Sequence, residues 1–327
     1  MGVGKSSAKY TRRVKPFAPW IEPMMNNLTE TDRYRGCLLG LACGDAVGTT
    51  VEFMPRGTFQ PVADMVGGGP FGLKPGEWTD DTSMALCLAH SLVYRGGFDA
   101  VDQMNRYCNW RSVGYMSSNG RCFDIGMTVA AALDRFLLNG DPYAGSPDPR
   151  TAGNGALMRL APVPMYFRES AEAVVKFAGE STRTTHGARE AIECSKVFGL
   201  QVRAALLSRS KDEILTAGLC GNLCATVEAL ALGGYRTKSQ EEVRGSGYCV
   251  HALEAALWCF AMTETFEAAV LLAANLGDDA DTTAAICGQL AGAFYGASSI
   301  PFHWLERLAM RTEIVAIADQ LLLARLN

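Results

Sequence analysis

Residues 275–296 read N-L-G-D-D-A-D-T-T-A-A-I-C-G-Q-L-A-G-A-F-Y-G, from Asn275 to Gly296, and this stretch decides the fold. A tight turn at Gly277 carries the carboxylates Asp278, Asp279 and Asp281 and the hydroxyls of Thr282 and Thr283. The run then becomes helical, with Gly288, Gly292 and Gly296 at every fourth position and therefore on one helix face. Each glycine costs a helix about 1 kcal/mol against alanine, so the stripe implies another backbone packed closely along it. A matching stripe, Gly36, Gly40, Gly44 and Gly48, falls in a helix expected from about Thr31 to Gly48, with Thr29 or Thr31 and Asp32 as start signals. The two stripes are expected to pack together and join the two ends of the chain. Arg33, Arg35 and Asp45 interrupt the first stripe and exclude a membrane glycine zipper.

Outward from this pair, helical patterns fall at about 84–94, 99–112, 124–139, 169–180, 187–208, 249–262, 265–274 and 311–325, and alternating strand patterns are nearly absent. The expected fold is all-α, one compact multi-helix domain over residues 29–327. Residues 54–78, rich in glycine and proline around Gly67-Gly68-Gly69-Pro70, read as a long loop of the kind that is usually functional or disordered. Residues 1–28 carry Lys5, Lys9, Arg12, Arg13 and Lys15, no acid before Glu22, and prolines at 16, 19 and 23, so they cannot build a core. Phe17, Trp20, Met24 and Met25 nevertheless call for burial, and the segment reads as a basic aromatic arm for the domain surface or a partner.

The chain has 327 residues, 48% hydrophobic and 20% charged, with a net charge of −4. That is ordinary globular composition, and the mild acidity gives no nucleic-acid footprint. Eleven scattered cysteines without a CxxC pair read as buried thiols in a reducing, cytoplasmic compartment. No apolar run reaches the roughly 18 residues of a spanning helix, so no membrane role is expected. Gly4-Lys5-Ser6 resembles the tail of a phosphate loop whose first glycine would precede residue 1, and Met1-Gly2 through Ser6 fits the short myristoylation pattern.

A second acidic helix start, Thr79-Asp80-Asp81, mirrors Asp279-Ala280-Asp281-Thr282. Either alone is explained by capping, since Thr and Asp are favoured at helix starts and first-turn acids complement the helix dipole. Together they exceed what two caps need. If the glycine stripes gather the chain ends, the acids face one pocket and repel unless a cation compensates. Oxygen ligands from Asp and Thr favour Mg²⁺, Mn²⁺ or Ca²⁺ over zinc. An EF-hand is excluded, because counting from Asp279 puts Ala284 at its glycine position and Leu290 at its closing glutamate.

Six motifs occur in the order seen in ADP-ribosylglycohydrolases: Gly40-Leu-Ala-Cys-Gly-Asp-Ala-Val-Gly48 with Glu52-Phe53, Gly67-Gly-Gly-Pro-Phe71, Trp78-Thr-Asp-Asp-Thr82, Gly153-Asn-Gly-Ala-Leu-Met-Arg159, Thr185-His186 and Leu276-Gly-Asp-Asp-Ala-Asp-Thr282. The chain resembles the bacterial branch typified by the dinitrogenase-reductase-activating glycohydrolase, over about Tyr34 to Pro301. The resemblance implies an all-α fold and a binuclear centre of two Mg²⁺ (or Mn²⁺) that removes ADP-ribose from a modified protein, with arginine as the linkage of this branch. By matching position it implies Thr79, Asp80, Asp81, Asp279, Asp281 and Thr282 as metal ligands, and it leaves Asp278 outside the set. Glu52, Asp124 and Asp281 take catalytic positions, while Asn154, Gly155 and His186 match the substrate pocket. Gly68 and Gly69 in the glycine-rich loop, with the 153–155 turn, would offer backbone N–H groups to a diphosphate. Some relatives resemble immunity proteins that also block an ADP-ribosyltransferase toxin, a partner the arm at 1–28 would suit.

Overall fold

The computed structural model describes residues 28–219 and 221–324, so the arm expected at 1–28 lies, but for Leu28, outside the described residues. Thr29 caps the first helix, α1 (Glu30–Gly48), by accepting a hydrogen bond from Asp32 N at 3.1 Å. Next come α2 (Asp80–Arg95), α3 (Ala100–Val113), α4 (Met127–Asn139), α5 (Pro162–Tyr166), α6 (Ala171–Arg183) and α7 (Arg189–Leu206). The remainder are α8 (Lys211–Thr216), α9 (Ala225–Ala231), α10 (Cys249–Met262), α11 (Phe266–Ala274), α12 (Ala280–Tyr295), α13 (Phe302–Arg307) and α14 (Arg311–Ala324). Among the described residues the β-structure is confined to isolated bridges such as Ser146–His186 and Gly153–Tyr248, in keeping with an all-α fold.

The glycine stripes meet. A β-carbon on Gly40 would overlap the carbonyl oxygen of Gly288 and one on Gly288 that of Gly40; Gly36 and Gly292 stand in the same reciprocal relation. Gly44 faces the Ala284 carbonyl and Gly48 faces Asp281, so α1 and α12 run antiparallel with their backbones in contact. The second stripe runs further than expected, to Ala284, while Gly296 at its other end still faces α1, a β-carbon there overlapping the Asp32 carboxylate. Gly296 lies past the end of α12 with φ 81°, a conformation that favours glycine. From Gly36 onward α1 is buried on every side, as is nearly all of α12, and both stretches are correspondingly made mostly of small and apolar residues. Neighbours α7, α10, α11 and α14 complete the casing. Arg33 is buried too, and its Nη1 donates to the carbonyls of Ala293 (3.1 Å) and Phe294 (2.6 Å), which the end of α12 leaves unpaired.

A smaller core of Met84, Cys87, Met104, Tyr107, Trp110, Leu133 and Phe136 joins α2, α3 and α4. This core carries the 121–126 loop over the starts of α2 and α12. The helix expected from 124 begins only at Met127, which leaves Asp124 in the loop with φ 59°. The short helices α5, α8, α9 and α13 carry too little periodicity to be read from sequence. Ten cysteines among the described residues are free thiols, seven of them buried. No helix of the described residues is long and apolar enough to cross a membrane.

Candidate metal centre

Two helix starts face each other because α1 holds both. At one, Gly48 packs directly on Asp281. At the other, the Asp45 carboxylate grips the start of α2: Oδ1 accepts from Thr79 N (2.9 Å) and Oγ1 (3.0 Å), and Oδ2 accepts from Thr82 N (3.0 Å) and Oγ1 (2.7 Å). The two starts are also cross-linked, Thr79 Oγ1 lying 3.3 Å from Asp281 Oδ2 and Thr282 Oγ1 donating to Asp81 Oδ1 at 3.2 Å. Their positive dipole ends converge on one cluster of acids.

Glu52 is brought in by backbone. Phe53 N donates to Asp278 O at 2.7 Å and Asp278 N to Met54 O at 2.9 Å, which pins the segment after Glu52 to the turn before α12. Phe53 (φ 62°) and Asp278 (φ 57°) both adopt the left-handed conformation, and a β-carbon on Gly277 would come within 2.6 Å of Met54 O. Arg56 locks the same junction by donating to the carbonyls of Leu276 (3.1 Å), Gln240 and Val243 (2.5 Å). Asp278 itself is exposed.

Glu52, Asp80, Asp124, Asn154, Gly155, His186, Asp279, Asp281 and Thr282 all line one cleft of about 500 Å³. Thr79 and Asp81 are buried behind them. Asn154 reaches Asp279 through Nδ2 to Oδ2 at 2.8 Å. Gly68 and Gly69 are not among the lining residues. The N–H of Gly68 donates to Leu73 O at 2.7 Å and so is not free for a diphosphate, and Gly69 packs against the Thr49 carbonyl. Its tip, Phe71, meets Phe123 at 5.3 Å between ring centroids and braces the loop that presents Asp124.

The electrostatics call for a cation. Burial, and then the neighbouring carboxylates, push Asp80, Asp81 and Asp281 well above the usual carboxylate range. Glu52 and Asp124, which share a hydrogen bond, are raised by the same two causes. Asp45 is raised by burial to about 6 while its four hydrogen bonds hold it back. Two buried oxygens, Asp81 Oδ2 and Asp281 Oδ1, have no hydrogen-bond partner. Carboxylate oxygens of Asp45, Asp81 and Asp281 lie within 4.8 Å of one another, and so do those of Glu52, Asp124 and Asp281, so Asp281 belongs to both groups. Orphaned oxygens, an all-oxygen donor set and crowding of like charge fit a hard divalent ion at this place.

The family model for ADP-ribosylglycohydrolases matches residues 26–327. The chain belongs to the ADP-ribosylglycohydrolase family. It is 46% identical to the ADP-ribosylarginine hydrolase Tri1 of Pseudomonas putida (strain GB-1), over 92% of this chain and 82% of that protein. It is 33% identical to the ADP-ribosyl-[dinitrogen reductase] glycohydrolase of Rhodospirillum rubrum, over 86% of this chain and 92% of that protein. A solved structure titled "ADP-ribosylglycohydrolase-related protein complex" superposes with a TM-score of 0.80 at 44% identity, covering 90% of this chain and 99% of that one.

Within this ADP-ribosylglycohydrolase, sequence reasoning overlooked Asp45. It reads as an interruption of a glycine stripe, and its work appears only when α1 meets residues 34 and 37 positions further on. A buried aspartate in an otherwise apolar helix was the available signal, since such a group is nearly always paired.

Proposed function

We propose that this ADP-ribosylglycohydrolase hydrolyses the N-glycosidic bond between ADP-ribose and an arginine of a modified protein. We propose further that Thr79, Asp80, Asp81, Asp279, Asp281 and Thr282 hold two Mg²⁺ or Mn²⁺ ions. The observation that carries the reading is the pair of facing helix starts with orphaned oxygens on Asp81 and Asp281. When bound, such ions supply positive charge that orients the ribose diol and acidifies a water.

The chain's own residues divide the remaining work. Asn154 and Gly155 seat the ADP-ribosyl group, and His186 meets it from the cleft wall. The N–H groups of Gly153 and Asn154, expected to serve a diphosphate, already donate to Thr151 O (2.8 Å) and Gly247 O (3.0 Å). Departure of the guanidine nitrogen builds positive charge on the anomeric carbon, which Asp281 and Glu52 stabilise. Glu52 lines the cleft beside Asp124 and Asp281 and is placed to take the proton of the attacking water. Water oxygen bonds to the anomeric carbon as the C–N bond breaks, and the released proton ends on the departing guanidine. Asp124, whose carboxylate lies within 4.8 Å of Glu52 and Asp281, is placed to meet a cationic guanidinium, which favours arginine over neutral linkages. Glu52→Gln should bind ADP-ribose as the parent does while turnover falls at least a hundredfold. Parent-like turnover would remove Glu52 from the reaction.

The partner beyond the modified protein is proposed from composition: the basic, aromatic segment 1–28 is a separate arm that binds an ADP-ribosyltransferase toxin. Deleting it should abolish binding to such a toxin while leaving hydrolysis intact. Unchanged binding would sink the arm's role. The free thiols support a reducing, cytoplasmic setting.

A further inference from the structure

His186 ends a buried relay whose direction can be worked out from donor and acceptor chemistry. The guanidinium of Arg159 is buried, packed on the Tyr107 ring at 4.7 Å, and its Nη2 lies 2.6 Å from Thr185 Oγ1. A guanidinium only donates, so Thr185 Oγ1 accepts there. The hydroxyl keeps one proton to give, and its other partner is His186 Nδ1 at 2.9 Å. Thr185 is fully buried, so directing that proton anywhere else would leave a donor unsatisfied in the protein interior. Nδ1 is therefore the acceptor, and in the neutral ring the remaining proton sits on Nε2. Burial and the Arg159 charge both disfavour the imidazolium, in agreement with this assignment.

Nε2 faces the cleft through a gap made by glycines. A β-carbon on Gly153 would lie 3.3 Å from Nε2, and one on Gly155 would lie 3.0 Å from Cε1 and 3.3 Å from Nε2. Side chains at either position would crowd the nitrogen that the two glycines leave open. The backbone of His186 is fixed independently: its N–H donates to Thr182 O at 2.8 Å, and Gly187 N donates to Ser146 O at 3.0 Å. Neither the ring's position nor its proton is free to vary.

We propose that Thr185, oriented by Arg159, is a positioning residue that locks His186 as a neutral Nε2–H donor for an acceptor oxygen of bound ADP-ribose. The ligand half of this statement rests on the function proposed above; the tautomer half does not. One consequence is that His186 binds but performs no acid–base chemistry, because its basic nitrogen is occupied by the Thr185 proton and its open nitrogen already carries one. The proton transfers are left to the carboxylates.

The test uses the full chain with ¹⁵N-labelled histidine, His186 being assigned by its loss in His186→Gln. Long-range ¹H–¹⁵N correlation should show Nδ1 in the unprotonated range and Nε2 in the protonated range. Thr185→Val should lose that single-tautomer pattern and weaken ADP-ribose binding and KM by about three- to tenfold, with kcat little changed. Thr185→Ser should restore both. His186→Gln, whose amide can present an N–H in place of Nε2, should bind ADP-ribose more tightly than His186→Phe. A protonated Nδ1 in the parent protein, or a Thr185→Val variant identical to it in spectrum and affinity, overturns the proposal. The expected tautomer in a parent protein that fails to bind ADP-ribose overturns only the ligand half and, with it, the function it rests on.

Discussion

Replacing Gly48 by alanine tests whether the packing of α1 on α12 sets the geometry of the metal centre. The backbone at Gly48 is helical (φ −69°, ψ −36°), so alanine suits it, and propensity alone favours the change by up to about 1 kcal/mol. The new β-carbon, however, would stand 2.5 Å from Ala280 O and 2.6 Å from Asp281 N and would overlap Asp281 Cα, where ordinary contact begins at 3.4 Å. All three neighbours are backbone, so no side-chain rotation relieves the overlap. The start of α12 must move by about 1 Å to bring its shortest contact, that to Asp281 Cα, out to 3.4 Å. Overpacking of this kind costs about 1–3 kcal/mol, which outweighs the propensity gain. The displaced residue is Asp281, and a misplacement of about 1 Å at a reacting centre lowers turnover on the order of a hundredfold. Gly36→Ala is the control, because it overlaps the Gly292 carbonyl and lies 2.7 Å from Ala297 N at the opposite end of the same interface. Thermal unfolding, Mn²⁺ calorimetry and steady-state kinetics should show both variants destabilised, with metal affinity and turnover lost mainly in Gly48→Ala. A Gly48→Ala protein that is more stable than the parent and binds Mn²⁺ equally well would refute the reasoning.

Asp45→Asn replaces an acceptor of four hydrogen bonds by a group that presents N–H to two of those donors. Chemical denaturation should show a loss of at least about 2 kcal/mol and weaker metal binding; parent-like stability would mean that the grip on α2 is dispensable. The acid cluster also sets a pH dependence. Asp80, Asp81 and Asp281 are raised by burial and by one another, so above about pH 4 the folded metal-free protein holds protons that the unfolded chain has released. That contribution is full below the unfolded values and is lost as pH rises through the raised ones, so Tm in EDTA should fall from pH 5 to pH 8. With saturating Mn²⁺ the fall should disappear, since metal replaces the protons; a Tm in EDTA that climbs over this range would contradict the assignment. Asp279→Ala and Asp281→Ala should each lose metal binding with helical content intact, and unchanged metal stoichiometry in both would sink the ligand set.

What was legible in the sequence was what is periodic or local. The four-residue spacing of Gly36 to Gly48 and of Gly288 and Gly292 announced a backbone-to-backbone contact, and the two acidic helix starts announced a shared charge problem. The helix order followed from apolar spacing. Relations between distant positions were not legible. Asp45 becomes a clamp only through Thr79 and Thr82, and Thr185 becomes a relay only once Arg159 is folded behind it. Asp124 sat in an apparent helix pattern, yet its left-handed backbone and the following Gly126 delay α4 to Met127. Gly68 and Gly69 show the converse case. A glycine-rich run resembles a phosphate cradle, but here one N–H is taken up by Leu73 and the other glycine is needed for contact with Thr49.

The central claim is a metal-dependent hydrolysis at arginine carried out by the facing helix starts. Its most direct measurement is release of free ADP-ribose from an arginine-ADP-ribosylated protein, with Mg²⁺, with EDTA, and with Asp281→Ala. The account predicts release in Mg²⁺ alone, abolished by EDTA and by the substitution. Release that persists in EDTA and in Asp281→Ala, or none from protein that demonstrably binds the metal, would contradict it.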